Sequence, residues 1–454
     1  MAPSAHDWSA LQGTIAGELV LPDSPAYELA RKPAIANFHH VQPQAVARCG
    51  NARDVAEVIS FARGFGIPVA PRSGGHCFAG RSSTDGIVID VRPIRSVSVE
   101  DGMATVGAGA RLGEVYVALA DRGRTLPAGC GPDVGIAGLT LGGGFGILGR
   151  KYGLTSDQLL SVEVVLADGR VLQCDERHDD DLFWALRGAG GGRFGVVTSL
   201  VFRTIREPEE TTFHLIWPHT EAVAIIDAWQ DLAPTAPDEL AASLLVTASA
   251  DTDRPPLMHL FGAMIGGQAE AERLLDEIVM RAGTDPASAS LTQLPYREAK
   301  RHLAEHGPGD DRPGHTFSKS EYFRQGVPAE ALPVLVDNLA AGRVAGESRV
   351  LDFSPWGGAY NRVGPEATAF AHRDVNFLLK HEVLVDLAAP DAAREAARRW
   401  LARSWGYAHA WGSGGVYPNF PDPEIADWSP AYHGGGVDRL RRVKAHYDPD
   451  GLFR

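Results

Sequence analysis

An α+β fold is predicted from three observations. Helical and hairpin patterns intermix over the first ~200 residues, three glycine blocks punctuate that half, and alternating strand patterns take over after Glu207-Pro208. The helical pattern is clearest from Asn51 to Arg63, where Val55, Val58, Ile59 and Ala62 share one face; Asn51 or Asp54 can cap its start, and Gly64 and Gly66 end it. Ile67-Pro68-Val69-Ala70 and Ile87-Val88-Ile89-Asp90-Val91 read as strands joined by a loop. Val97 to Val106 forms a hairpin signature around Asp101-Gly102, and Val162 to Leu172 repeats it around Asp168-Gly169. His178-Asp179-Asp180-Asp181 runs directly into Leu182 to Arg187, so its acids are expected to cap a helix and not to hold a metal. Later helical stretches are Ala269 to Arg281 and Ala388 to Ser404, with a loop-like run at 307–314. The expected divisions are 1–208, 209–410 and 411–454, the last again rich in Gly, Pro and aromatics.

Composition bounds the function. The chain has 454 residues, enough for about two or three domains and a sizeable core. Its 43 Lys and Arg against 57 Asp and Glu give a formal charge of −14, with no basic run to meet phosphate backbones, which argues against nucleic acid as a partner. No stretch is apolar for long enough to span a bilayer, and Met1 to Gly17 lacks a signal pattern, so no membrane and a cytoplasmic location are expected. Cys49, Cys77, Cys130 and Cys174 fall singly, which suggests reduced thiols and neither zinc nor a disulfide framework. There is no GxSxG elbow and no phosphate-binding GxxxxGK. Val106 to Gly113 mimics a dinucleotide fingerprint, but its strand belongs to an Asp-Gly hairpin, so a helix start packed on a sheet is the expectation.

The chemistry concentrates in the glycine blocks. Pro71-Arg72-Ser73-Gly74-Gly75-His76-Cys77 places an imidazole at the end of a loop whose backbone a ligand can approach closely. Gly129 to Gly146 and Arg187 to Thr198 add two more side-chain-poor segments. Three such blocks in one half of the chain are best explained by one long ligand with an anionic centre, such as a pyrophosphate, lying across backbone N–H groups. Tyr417-Pro418-Asn419-Phe420, after Gly412-Ser413-Gly414-Gly415, adds a tyrosine that is either packing or catalytic.

Taken together, several segments resemble the berberine bridge enzyme-like branch of the vanillyl-alcohol-oxidase type of FAD-linked oxidases. They are Arg72 to His76, Gly138 to Gly146 with Arg150 to Asp157, Asp181 to Gly188 through Thr198, Tyr417-Pro418-Asn419, and Val443 to Phe453. The resemblance spans most of the chain and implies a two-lobed PCMH-type FAD-binding domain plus a substrate domain with an antiparallel sheet covered by helices. It implies FAD joined covalently through His76. The residues it assigns to the cofactor are Arg72, Ser73, Gly74, Gly75, His76, Cys77, Gly129, Cys130, Gly131, Val134, Gly135, Gly138, Thr140, Gly142, Gly143, Gly146, Val197 and Asn419. A second link through Cys130 stays open, because three residues, not two, separate it from Val134-Gly135. Tyr417 matches the family's catalytic base or its close partner, and Val134 matches a position where a small branched residue accompanies use of dioxygen. Tyr322, Trp356, Tyr360 and His372 are pocket candidates, with core packing the competing role. Arg193 stands where relatives often have asparagine. The expected partners are a small-molecule substrate and O2, and the expected activity is that of an oxidase in natural-product tailoring. A carbohydrate oxidase is the alternative within the class, and a non-catalytic flavin-binding protein the alternative outside it.

Overall fold

The computed structural model describes residues 2–306 and 312–453; most of the loop-like run at 307–314 lies outside them. Two sheets build the first half. Strands Glu18–Val20, Ala45–Arg48, Ile87–Asp90 and Val69–Arg72 lie side by side in that order. The last three are parallel, and the first is antiparallel to its neighbour. Parallel partners need a crossover, which helix Ala52–Phe65 supplies between Ala45–Arg48 and Val69–Arg72. Asn51 caps that helix by accepting from the Asp54 N–H at 2.9 Å, and Gly66 ends it at φ 67°. The Asp54 carboxylate instead accepts from the N–H groups of Ala16, Gly17 and Gly50. The second sheet is antiparallel, in the order Val97–Glu100, Met103–Gly107, Val196–Arg203, Leu159–Val165, Val171–Asp175.

From Glu209 to Asp386 seven antiparallel strands form one sheet, in the order Ser288–Pro295, Glu209–Pro218, Leu257–Ile265, Leu240–Ala248, Glu347–Pro355, Phe377–Asp386, Gly314–Phe323. Alternate residues such as Leu244, Val246, Leu260, Leu351, Phe353 and Leu379 bury one face among the helices Ala222–Leu232, Gln268–Ala282, Leu332–Ala340 and Asp391–His409. With a period of two, their neighbours face the other way, toward the glycine-rich half.

The C-terminal helix Val437–Tyr447 returns to the first half, where Leu440, Val443, Tyr447 and Phe453 join its core. The acids of 178–181 do stand at a helix start, with Asp180 and Asp181 in the first turn of helix Asp180–Leu186, but no side chain caps it: Asp179 Oδ1 accepts from the Tyr447 hydroxyl at 2.9 Å instead. Asp181 accepts from Arg439 at 2.5 Å. Between the halves, Arg373 grips Asp157 with two hydrogen bonds of 2.7 and 2.9 Å. Both side chains are nearly buried, at 1% and 9% exposure, so removing one partner strands the other charge at a cost of about 3–5 kcal/mol.

Candidate active site

One cavity of about 560 Å³ opens where the glycine loops of the first half meet the bare face of the seven-stranded sheet, within the range of roughly 300–1,000 Å³ usual for small-molecule and cofactor sites. The loop after strand Val69–Arg72 brings Ser73, Gly74, Gly75, His76 and Cys77 to its wall; Gly129, Cys130, Gly131, Val134, Gly135 and Gly138 come from the second block, and Gly190, Gly191, Gly192 and Val197 from the third. The first two loops touch: a Cβ on Gly74 would stand 2.3 Å from the Gly135 nitrogen, and one on Gly135 would stand 2.1 Å from Ser73 Oγ. Elsewhere the glycines do the opposite. A Cβ on Gly138 would meet nothing within 4 Å, and one on Gly190 or Gly191 nothing nearer than 4.0 or 3.8 Å. Bare backbone there borders open space, which fits a long ligand lying against it.

Some expected cofactor residues act by holding the wall. Arg72 reaches the cavity edge, and its guanidinium donates to the carbonyls of Ser82, Ala30 and Arg31 at 2.8–2.9 Å, so it braces the loop. Burial pulls it down to about 10. Ser73 donates to Ala108 O at 2.7 Å. Thr140 turns back onto its own helix, donating to Ile136 O at 2.8 Å. Gly142 and Gly143 lie under the wall, where a Cβ would strike Asn419 Oδ1 at 2.2 Å and the Phe370 ring at 2.9 Å.

Tyr417 and Asn419 line the cavity together. The Tyr417 hydroxyl oxygen accepts from the Gly144 N–H at 3.1 Å and from Asn419 Nδ2 at 3.0 Å, and Asn419 also donates to Leu139 O at 2.8 Å. Burial pushes the phenol up to about 12, against these hydrogen bonds. His76 is pulled down by burial, opposed by Asp133, so its imidazole is neutral near pH 7.

Of the four pocket candidates, only Tyr360 reaches the cavity; its hydroxyl exchanges hydrogen bonds with the N–H and C=O of Gly146. Tyr322, Trp356 and His372 stand behind the wall. Trp356 stacks on Tyr360 at 4.3 Å, Tyr322 meets Trp356 edge-on at 5.0 Å, and His372 stacks on Tyr322 at 4.5 Å. They form packing beside Tyr417, not a lining: Trp356 meets the Tyr417 ring at 6.5 Å, the Gly415 carbonyl takes the Tyr322 N–H, and a Cβ on Gly415 would stand 2.7 Å from His372. Arg193 also stays off the wall, with its guanidinium over the Trp428 ring at 4.7 Å.

The opposite wall was missed from sequence. Ala241, Ser243, Leu245, Phe261, Gly262, Asp352, Ser354, Pro355 and Lys380 reach it from four adjacent strands. Lys380 Nζ lies 3.2 Å from Glu382 and 3.7 Å from Asp352. The signal was present as charges alternating with core residues in Leu351-Asp352-Phe353 and Leu379-Lys380-His381, but nothing local said which face would meet a ligand.

The comparisons agree with this geometry. An FAD binding domain family matches residues 43–175, and a berberine and berberine-like family matches residues 416–454. An FAD-linked oxidoreductase of Bacillus subtilis is 31% identical over 97% of this chain and 96% of its own length. The aclacinomycin-N/aclacinomycin-A oxidase of Streptomyces galilaeus is 32% identical over 91% of this chain and 84% of its own. Among solved structures, glucooligosaccharide oxidase from Acremonium strictum, described with a 6-S-cysteinyl, 8α-N1-histidyl FAD, superposes with a TM-score of 0.87 at 25% identity, covering 98% of each chain. Glycine loops that leave room for a long ligand, a tyrosine in the wall and end-to-end likeness in sequence and fold lead to one conclusion. The chain belongs to the berberine bridge enzyme-like family of FAD-linked oxidoreductases.

Proposed function

We propose that this protein is an oxidase with FAD linked through His76, acting on a carbon that bears a hydroxyl or amine in a small or medium organic molecule. When bound, FAD supplies the electron sink, taking a hydride from that carbon and passing the electrons to O2 to give H2O2. The carrying observation is that His76, Tyr417 and the charged strand residues line one cavity. Gly74, Gly75, Gly135, Gly138 and Gly190 to Gly192 would hold the cofactor by backbone, and neutral His76 has the lone pair needed to bond the 8α-methyl carbon of the flavin. Cys77 and Val197 border the same space, and Val134 sits beside Gly135.

Tyr417 is the proposed base. Gly144 and Asn419 already donate to its oxygen, so they would stabilise the phenolate, which then takes the proton of the substrate hydroxyl. With the phenol held up to about 12, the substrate-to-flavin electron-transfer rate should climb with pH across the neutral and alkaline range. Tyr417→Phe should keep flavin absorbance and lose about 10²–10⁴-fold in that rate, measured by stopped flow; an unchanged rate removes Tyr417 from the role.

The substrate wall favours an organic molecule with a polar group among apolar ones. Ala241, Leu245, Phe261 and Pro355 are apolar, Ser243 and Ser354 add hydroxyls, and Asp352 with Lys380 forms the charged spot among them. Natural-product tailoring suits such a wall, and the likeness to an aclacinomycin oxidase supports it. The oligosaccharide reading draws on the glucooligosaccharide oxidase likeness. Peroxide release across panels of aromatic alcohols, amines and oligosaccharides separates the two.

A further inference from the structure

Lys300 sits in helix Tyr296–His306 of the sheet half, yet its ammonium is buried against the glycine-rich half. It donates to Gly129 O at 2.7 Å and Ala128 O at 3.3 Å, and its third close contact is Cys130 Sγ at 3.4 Å. The rings of Tyr116 and Tyr296 enclose it, with centroids 4.8 and 5.8 Å away. Among the described residues no carboxylate lies within ion-pair distance of it. The acid that feels its charge, Glu210, is fully buried with neither oxygen hydrogen-bonded, and burial pushes it up to about 8, so it is protonated at neutral pH. A buried ammonium without a counter-anion is costly. The sulfur it touches, that of Cys130, belongs to a residue that lines the cavity.

We propose that Lys300 is a positioning residue for Cys130: its buried ammonium donates to Sγ and holds the sulfur at the cavity wall, ready to bond C6 of the isoalloxazine. The inference rests on the FAD reading above and assigns the residue that would drive a second attachment. In the attachment the sulfur supplies the electron pair of the new S–C6 bond. The thiol proton and the C6 proton leave, and the two electrons left in the ring pass to O2. With those two protons they give H2O2, restoring the oxidised ring. The extra residue between Cys130 and Val134 does not carry Cys130 off the cavity, which it lines beside Gly131, and Tyr116 and Lys300 both hydrogen-bond the Gly129 carbonyl immediately before it.

The test compares purified holoenzyme with Lys300→Gln, which keeps a donor for the carbonyls and loses the charge, and with Lys300→Arg, which keeps the charge. Each is denatured in iodoacetamide, digested and mapped by mass. In the parent, the Cys130 and His76 peptides should share one flavin, and Cys130 should escape alkylation. Without the ammonium that holds Sγ in place, Lys300→Gln should lower the linked fraction by about tenfold or more, leaving Cys130 alkylated and His76 still flavinylated. Lys300→Arg should restore the link. A parent Cys130 that alkylates fully while His76 carries flavin overturns the inference alone, as does a Lys300→Gln protein with Cys130 still blocked. Flavin on neither peptide defeats the covalent FAD reading itself. Should Lys300→Gln fail to fold, Lys300→Met in a Glu210→Gln background, which removes the neighbouring buried acid as well, is read the same way.

Discussion

The two walls of the cavity are built by different means. On the glycine-rich side the ligand surface is backbone: loops pressed together at Gly74 and Gly135 and left bare at Gly138, Gly190 and Gly191. On the sheet side it is side chain, the outward members of strands whose inward members, Leu351, Phe353 and Leu379 among them, belong to the helix-covered core. A backbone surface fixes the shape of whatever lies on it and tolerates no added atoms. A pleated surface can change any outward residue while the core face stays intact. The first therefore suits a constant cofactor, and the second suits a substrate that varies between relatives.

The largest effect that could break this contrast is expected at Gly138. Gly138→Val would fill the open side of the wall, and purified protein should contain little or no flavin by absorbance near the visible flavin bands. Normal flavin content would mean that the ligand does not lie there. Next comes the sheet wall. Lys380→Met should leave flavin content unchanged and lower kcat/KM for the true substrate by about 10- to 100-fold, the effect of losing one charge-assisted contact of about 1.5–3 kcal/mol. Equal loss across unrelated substrates, or loss of flavin, would make Lys380 a structural residue.

The smallest effect lies at the seam. Glu210 is raised by burial from 4.5 to about 8, so the folded state holds its proton more tightly than the unfolded state. Its contribution to stability is full below the unfolded pKa and is lost as pH rises through the folded one. The thermal midpoint of the parent should therefore sag as pH climbs from about 5 to 9, and Glu210→Gln should flatten that slope. A parallel slope in the variant would show that Glu210 does not titrate in this window.

How much could be read in advance follows the same division. The His76 loop, the glycine blocks and the Tyr417 segment were legible because close backbone approach demands glycine in a contiguous run. Arg72 was legible as a cavity residue, since it borders the space beside the glycines, but its brace to the carbonyls of Ala30, Arg31 and Ser82 appears only in the fold. Tyr322, Trp356 and His372 were assigned to the pocket since aromatic residues suit both lining and core, and sequence carries no marker of which side of a loop they occupy.

What the chain determined by itself was local and backbone-borne: the Asn51 cap, the Asp-Gly hairpins, the glycine loops and the histidine at their edge, all set by steric limits within a few residues. What tertiary structure alone decided was which pleat face met the cavity, and which distant groups became neighbours. Lys300 and Cys130 are 170 positions apart, and no periodicity or spacing joins them; only the packing of a helix from one half against a loop of the other brings ammonium and thiol into contact.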